Sequence, residues 1–547
     1  KRHKAASTAQ PSGAFGAMRS LAVVSSRRAL RTWLVRSRLP ALARGARPGF
    51  PEAVPRLSFR TAASASPAQV SALGASARRL REAIVSHAAT SEIVAEADAP
   101  LDRAAAAARL RQELHEGTTD FEVTVLGEAL VPGPGRKSIS VPTPIGPAGG
   151  PAARTVNMML PSREDMSKLL AARREANTRL EKPEDLGDIM EKFYREKVLG
   201  RRVDHVAMLA AWGPKTLGDA EGEFAEIAAL IALSLRAFKG ALRAQKGDFQ
   251  FEVHRAGDGK ECLVMPPSNF ALLGLKDAVH MLLQGFRVLL VVQPRFFPQF
   301  KEIQQDFAAV GLPAGMLEVV PGITPDADPE VLHEALRHVD RLQFTGSSAM
   351  FKNLVIKALE LGNLRLEHGG EVSGLNKVRL DQVSATHPAA AAGVAWAAMA
   401  NNGELCTSSS LVEFDPTTGD TASSVKAAVE AHSFRVGRDP EDLELNVLLK
   451  EGKTDKLEVL TEVPSTGFRE WWEKTVLAIP QGSEPKVRTN QSLGHCVYSP
   501  SIERALEIGT QEDASCIYCV GVPSDATAPS ARAGTTGCKV PESVFGG

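Results

Sequence analysis

No excess of one charge runs through this chain. Its 64 lysines and arginines stand against 64 aspartates and glutamates, so no global field draws it to nucleic acid or to an anionic membrane. Cysteine is scarce: six in 547 residues, at 262, 406, 496, 516, 519 and 538. That excludes a disulfide-stapled framework and suits a reducing compartment. Long apolar runs are missing too. The richest stretch, Phe270 to Val292, is broken by Lys276, Asp277, His280, Gln284 and Arg287, short of the ~20 uninterrupted apolar residues of a membrane span. No internal repeat is present. What remains is a chain long enough for two or three ordinary domains and a large buried core.

Acidic residues are nearly absent from the first sixty positions. Glu52 stands alone there against a series of arginines that includes Arg19, Arg27, Arg28, Arg31, Arg36 and Arg38. A helix through 20–38 sets Leu30, Trp33 and Leu34 against Arg27 and Arg31. A basic, Ser/Ala-rich, acid-poor and amphipathic segment reads as an organellar transit peptide, with Met18 as its natural start. A disordered basic arm on nucleic acid is the competing reading. The expected address is the mitochondrial matrix, with the plastid as the alternative.

Between Cys262 and Glu367 the pattern alternates. Strands are predicted at 263–265, 286–292, 317–320, 342–344 and 364–367, with helices at 270–284, 298–310, 329–338 and 348–361 between them. Short apolar strands separated by amphipathic helices imply parallel βαβ units. The fold class is therefore α/β with a doubly wound sheet, and such sheets bind ligands beyond the carboxyl ends of their strands. Two helical blocks precede it, at 162–180 and 184–246, after a Pro/Gly-rich loop from Val131 to Pro151.

Four short segments carry chemistry: Pro266-Pro267-Ser268-Asn269-Phe270, Phe344-Thr345-Gly346-Ser347, Leu366-Glu367-His368-Gly369-Gly370, and Asn402-Gly403-Glu404-Leu405-Cys406-Thr407. In order and spacing they resemble the P-W-N-F, F-T-G-S, L-E-L-G-G and Q-G-Q-x-C-[ST] segments of the aldehyde dehydrogenase superfamily, from about residue 118 onward. Ahead of it, composition and helical spacing give a transit peptide and leader at 1–63 and an Ala-rich helical linker at 64–117. The resemblance implies an NAD(P)-binding Rossmann-like domain at 118–368, then a second α/β catalytic domain, shortened, at 369–547.

It also implies roles. The Cys406 thiolate adds to an aldehyde carbonyl, since thiolates are good nucleophiles near neutral pH. The Asn269 amide and the Cys406 backbone N–H hold the resulting oxyanion, one such donor being worth ~3 kcal/mol. After hydride transfer leaves a thioester, Glu367 activates water. Cys406, Asn269 and Glu367 should then converge on one cleft. Each has a plainer reading: a small buried hydrophobe for Cys406, a solvated strand-end charge for Glu367, and a helix N-cap for Asn269.

For the cofactor, NAD in preference to NADP, Thr345, Gly346 and Ser347 open a helix whose free N–H groups favour a phosphate. Gln293 stands where the family has a ribose-binding Lys, and Glu462 is carried over as the residue holding the nicotinamide ribose. Thr535-Thr536-Gly537-Cys538 before Phe545-Gly546-Gly547 resembles the glutamate semialdehyde (pyrroline-5-carboxylate) dehydrogenase branch. That implies Thr407, Gly537 and Cys538 around a substrate carboxylate. Cys516-Ile517-Tyr518-Cys519 lacks two further ligands for zinc and reads as a buried strand, so no metal is expected.

Departures from the family are specific. Glu371 replaces the Lys of L-E-L-G-G-K, the E-[IL]-F-G-P segment is not recognisable, and the chain stops where relatives continue into a strand used for oligomer contacts. The expected partner is a small aldehyde, with no nucleic acid and no membrane span. A catalytically silent scaffold in an organellar assembly is the alternative, and a CoA-acylating enzyme a third reading that Glu367 speaks against.

Overall fold

The computed structural model describes most residues from 101 to 431, then 477–481, most of 494–522, and 532–538. The expected transit peptide, Thr407, Glu462 and the Phe545-Gly546-Gly547 end lie outside the described residues.

Helices lead into the first large sheet: α1 (Arg103–Glu113), α2 (Arg202–Trp212) and the long α3 (Leu217–Ala244). The predicted block at 184–246 is several helices, because Gly213 terminates α2. Then come β1 (Glu261–Met265), α4 (Leu273–Leu283), β2 (Arg287–Val292), α5 (Phe297–Ala309), β3 (Leu317–Pro321), α6 (Pro329–His338), β4 (Arg341–Gly346), α7 (Ser348–Glu360) and β5 (Glu367–Val372). The five strands are all parallel, in the order β5-β4-β1-β2-β3. Every residue of β1 and β2 is buried, as helices on both faces of a parallel sheet require. The order turns back between β3 and β4, so β1 and β4 lie side by side with their crossovers running opposite ways. The crevice beyond their carboxyl ends is the topological switch point of the sheet.

A second sheet follows with β6 (Lys377–Leu380), β7 (Leu411–Phe414), β8 (Leu477–Pro480), β9 (Gly494–Ser499), β10 (Cys516–Gly521) and β11 (Arg532–Cys538). Its order is β8-β7-β6-β9-β10-β11, parallel except for the β10–β11 pair. A small sheet of Gly117–Phe121, Arg154–Leu160 and Lys137–Pro142 flanks the first unit.

Two boundaries move. Leu101, Ala106, Leu110 and Leu114 are buried in the first unit's core, so the expected linker at 64–117 does not include α1. And β5 carries the first sheet on to Val372, so the join between the sheets is 373–376 rather than 368–369. Among the described residues no helix is long and apolar enough to cross a membrane.

Candidate active site

The loops after β1, β2 and β4 meet at the carboxyl edge of the first sheet. Asn269, half-buried, sits in the turn between β1 and α4. The N-cap of α4 is Leu272, without a side-chain bond, so the capping alternative for Asn269 falls away. Beneath it lies a buried ion pair. The Lys215 Nζ donates to the Asn269 carbonyl at 2.7 Å and pairs with Glu223, whose Oε1 accepts the Leu272 N–H at 2.7 Å. From the end of β2, beyond Gln293 and Pro294, Arg295 donates to the Ser268 carbonyl at 3.0 Å. At the end of β4 the Thr345 hydroxyl is buried with no hydrogen-bond partner among the described residues. Gly346 follows, and Ser347 caps α7 by accepting the Met350 N–H at 3.2 Å. The sequence-predicted Asn269, Gln293, Thr345, Gly346 and Ser347 therefore share one edge.

Glu367 does not join them. It opens β5, in register with Arg341 at the start of β4, on the opposite edge. There its exposed carboxylate pairs with Lys260 at 3.3 Å and Arg341 at 3.6 Å. The expected convergence with Asn269 fails because the strand runs from 367 to 372 and not from 364 to 367. The residue carried to the carboxyl edge is Glu371, in register with Thr345 and roughly 13 Å along the strand from Glu367.

Glu371 has company there. Its Oε1 lies 3.7 Å from the Lys276 Nζ, and Lys276 also bonds Asp277 at 2.7 Å, the latter two fully buried. Burial alone would lower the Lys276 pKa, but Asp277 and Glu371 outweigh it and hold the ammonium above its ordinary value. Glu226, on α3, belongs to the same group. Its side chain reaches water, yet the protein crowding it, then the charges of Glu223 and Glu371, push its carboxyl up to about 7 against the pull of Lys276.

Cys406 approaches from the other sheet. It is exposed in a turn just before β7, at the amino edge of the second sheet. Asn376 seats that turn: its Nδ2 donates to the Cys406 carbonyl at 2.6 Å and the Ser408 carbonyl at 3.1 Å, and its Oδ1 accepts the Gly494 N–H at 2.8 Å. Leu405 packs on the first unit's core, the cluster that contains Phe270 to Leu273. The join from Val372 to Lys377 is five Cα steps, at most about 18 Å. The short join and the Leu405 contact bring the amino edge of the second sheet near the carboxyl edge of the first.

Gly537 and Cys538 lie in β11, on the second sheet's amino edge but roughly 19 Å across the strands from β7. Cys516 to Cys519 begins β10, with Cys519 buried. Among the described residues no group of three or more His, Cys, Asp or Glu could hold a metal. The sequence reading missed Glu371, Lys276, Lys215 and Glu223, because each pairs with a residue far away in the chain.

A family model described as the aldehyde dehydrogenase family matches residues 152–464, more than half of the chain. Among solved structures, a 1-pyrroline-5-carboxylate dehydrogenase variant from Thermus thermophilus is 16% identical, with 76% of this chain and 87% of that one covered at a TM-score of 0.58. The aldehyde dehydrogenase KauB from Pseudomonas aeruginosa is 19% identical, covering 76% and 91% at 0.58. The Thermus 1-pyrroline-5-carboxylate dehydrogenase with bound NAD is 16% identical, covering 76% and 87% at 0.57. No curated protein matches. With the family model covering the whole first sheet and the first two strands of the second, the chain belongs to the aldehyde dehydrogenase family.

Proposed function

We propose that this enzyme oxidises an aldehyde to a carboxylic acid with NAD through a thioester on Cys406, and that Glu371 is its water-activating base. The observation that carries the reading is that Asn269 and Glu371 share the carboxyl edge of the first sheet, while Leu405, next to Cys406, packs on the core of that same unit. The Cys406 sulfur adds to the aldehyde carbon, and the developing oxyanion is met by the Asn269 amide and the Cys406 N–H. Thr345, Gly346 and Ser347 at the start of α7, with Gln293, fit a dinucleotide: the Thr345 hydroxyl at the end of β4 is buried with no hydrogen-bond partner among the described residues, and the first α7 N–H groups favour a phosphate. These residues would hold NAD there, and the cofactor would supply the hydride acceptor that the oxidation of the aldehyde carbon needs. Glu371 then takes a proton from water, whose oxygen attacks the thioester. The C–S bond breaks, the acid departs, and Cys406 returns as thiolate.

The substrate we propose is glutamate semialdehyde, on the Gly537-Cys538 resemblance and because solved relatives of like fold carry the 1-pyrroline-5-carboxylate dehydrogenase name. The Arg-rich start supports a mitochondrial matrix address. NADH fluorescence with an aldehyde panel, beside a Cys406→Ala variant, tests the reaction. Turnover that persists in the variant overturns it.

A further inference from the structure

The pair beneath Asn269 is expensive. Lys215 and Glu223 are both almost fully buried, and taking two charges out of water is repaid only when their remaining hydrogen bonds are well placed. Here the remaining bonds go to two backbone groups of one short turn: Lys215 to the Asn269 carbonyl, and Glu223 to the Leu272 N–H. The Lys215 ammonium also lies 5.4 Å from the Phe270 ring centre. Leu272 heads α4 with no cap of its own, so the Glu223 carboxylate does the work of an anionic cap at the positive end of that helix. The turn that carries Asn269 is therefore gripped at its first and last residues by a single ion pair arriving from a different part of the chain.

We infer that Lys215 and Glu223 are positioning residues that fix the Asn269 turn, and through it aim the Asn269 amide at the oxyanion. The inference rests on the proposed thioester reaction for its catalytic meaning, while the clamp itself is a matter of backbone geometry. A displaced donor about 1 Å off its target costs roughly a hundredfold in rate. An ion pair this buried invites the plainer reading that it only holds the fold, so the test must separate the two.

Two readouts on the full-length protein do so. In the first, amide hydrogen exchange is compared between the parent, Lys215→Met and the double variant Lys215→Met/Glu223→Gln, which leaves no unpaired charge. Faster exchange confined to 269–272, with β1 and β2 still protected, is expected; unchanged protection of that turn overturns the clamp. In the second, the hydride burst is measured for Lys215→Met, Asn269→Ala and their combination. The single Lys215 variant is expected to lose roughly a hundredfold, and the combination to lose no more than Asn269→Ala alone, because Lys215 acts through Asn269. Losses that multiply show a general structural role and overturn the inference. Lys215→Arg, which keeps charge and donors, should recover part of the burst. If the parent shows no burst with any aldehyde, the proposed reaction fails and the clamp's catalytic purpose with it, while the exchange readout still decides whether the clamp exists.

Discussion

Four residues separate Glu367 from Glu371, and on a parallel strand that interval decides which edge a carboxylate faces. Glu367 is held by Lys260 and Arg341 among the amino ends, whereas Glu371 stands with Lys276 at the carboxyl ends. The two make opposite predictions. Glu371→Gln should leave the hydride burst and slow thioester hydrolysis by roughly a hundredfold or more, so that acyl-enzyme accumulates and mass spectrometry finds the adduct on Cys406. Glu367→Gln should leave both phases near the parent's. A slow hydrolysis phase in Glu367→Gln instead would return the base to the family's motif position.

The cause of the misplacement lies at the scale of the element. Leu364-Arg365-Leu366-Glu367 alternates like a strand, and His368-Gly369-Gly370-Glu371 reads like the loop after it. The structure reverses this. Asn363 donates to the Leu336 and Val339 carbonyls, which fixes the chain before the sheet. Leu364 is left exposed, and pairing with β4 begins only at Glu367. Tertiary register overrode local pattern, because glycines in a strand carry no side chain to announce it. They have a packing reason instead. A Cβ on Gly369 would meet the Gln343 Oε1 at 2.7 Å, and one on Gly370 the Phe351 ring at 2.8 Å. Gly370→Val should cost about 1–3 kcal/mol by overpacking, read as a lower urea midpoint, with Phe351→Ala recovering part of it. The other strands and helices of the first sheet were legible within a few residues, since each buries a full hydrophobic face.

Helix α4 adds a dependence on pH. Burial, then the charges of Lys276 and Arg341, press the His280 pKa down to about 3 from an ordinary 6.5. A histidine whose folded value lies below its unfolded one favours the neutral ring. Its stabilising contribution is therefore full above about 6.5 and is lost as pH falls toward 3. His280→Gln should flatten the decline in urea stability between pH 6.5 and 4. An unchanged slope would assign the decline to other groups.

At the scale of the whole molecule, the site is divided. In the proposed reaction the first sheet would supply Asn269, Glu371 and the dinucleotide edge, and the second Cys406; 373–376 and Asn376 join the two sheets. The doubly wound half was readable from periodicity. The second sheet was not, since its strands are short and far apart in sequence, and the seat of Cys406 depends on Gly494, which no local pattern links to it. Asn376→Ala removes three hydrogen bonds and should destabilise by about 2–3 kcal/mol. Turnover should fall while NAD binding, measured by calorimetry, stays near the parent's, because the first sheet keeps its own core. Loss of NAD binding in that variant would show the two halves to be energetically inseparable.

The Asn376 knot also orders events in time. Cys406 leaves the ribosome long before Gly494, yet the turn that presents its sulfur is tied through one side chain to the strand Gly494 begins. A nascent chain that already holds Cys406 lacks one of the three bonds of Asn376 until β9 is made. If Cys406 is the proposed nucleophile, its turn is fully fixed only late in synthesis, and a chain interrupted before Gly494 would present a less firmly held thiol.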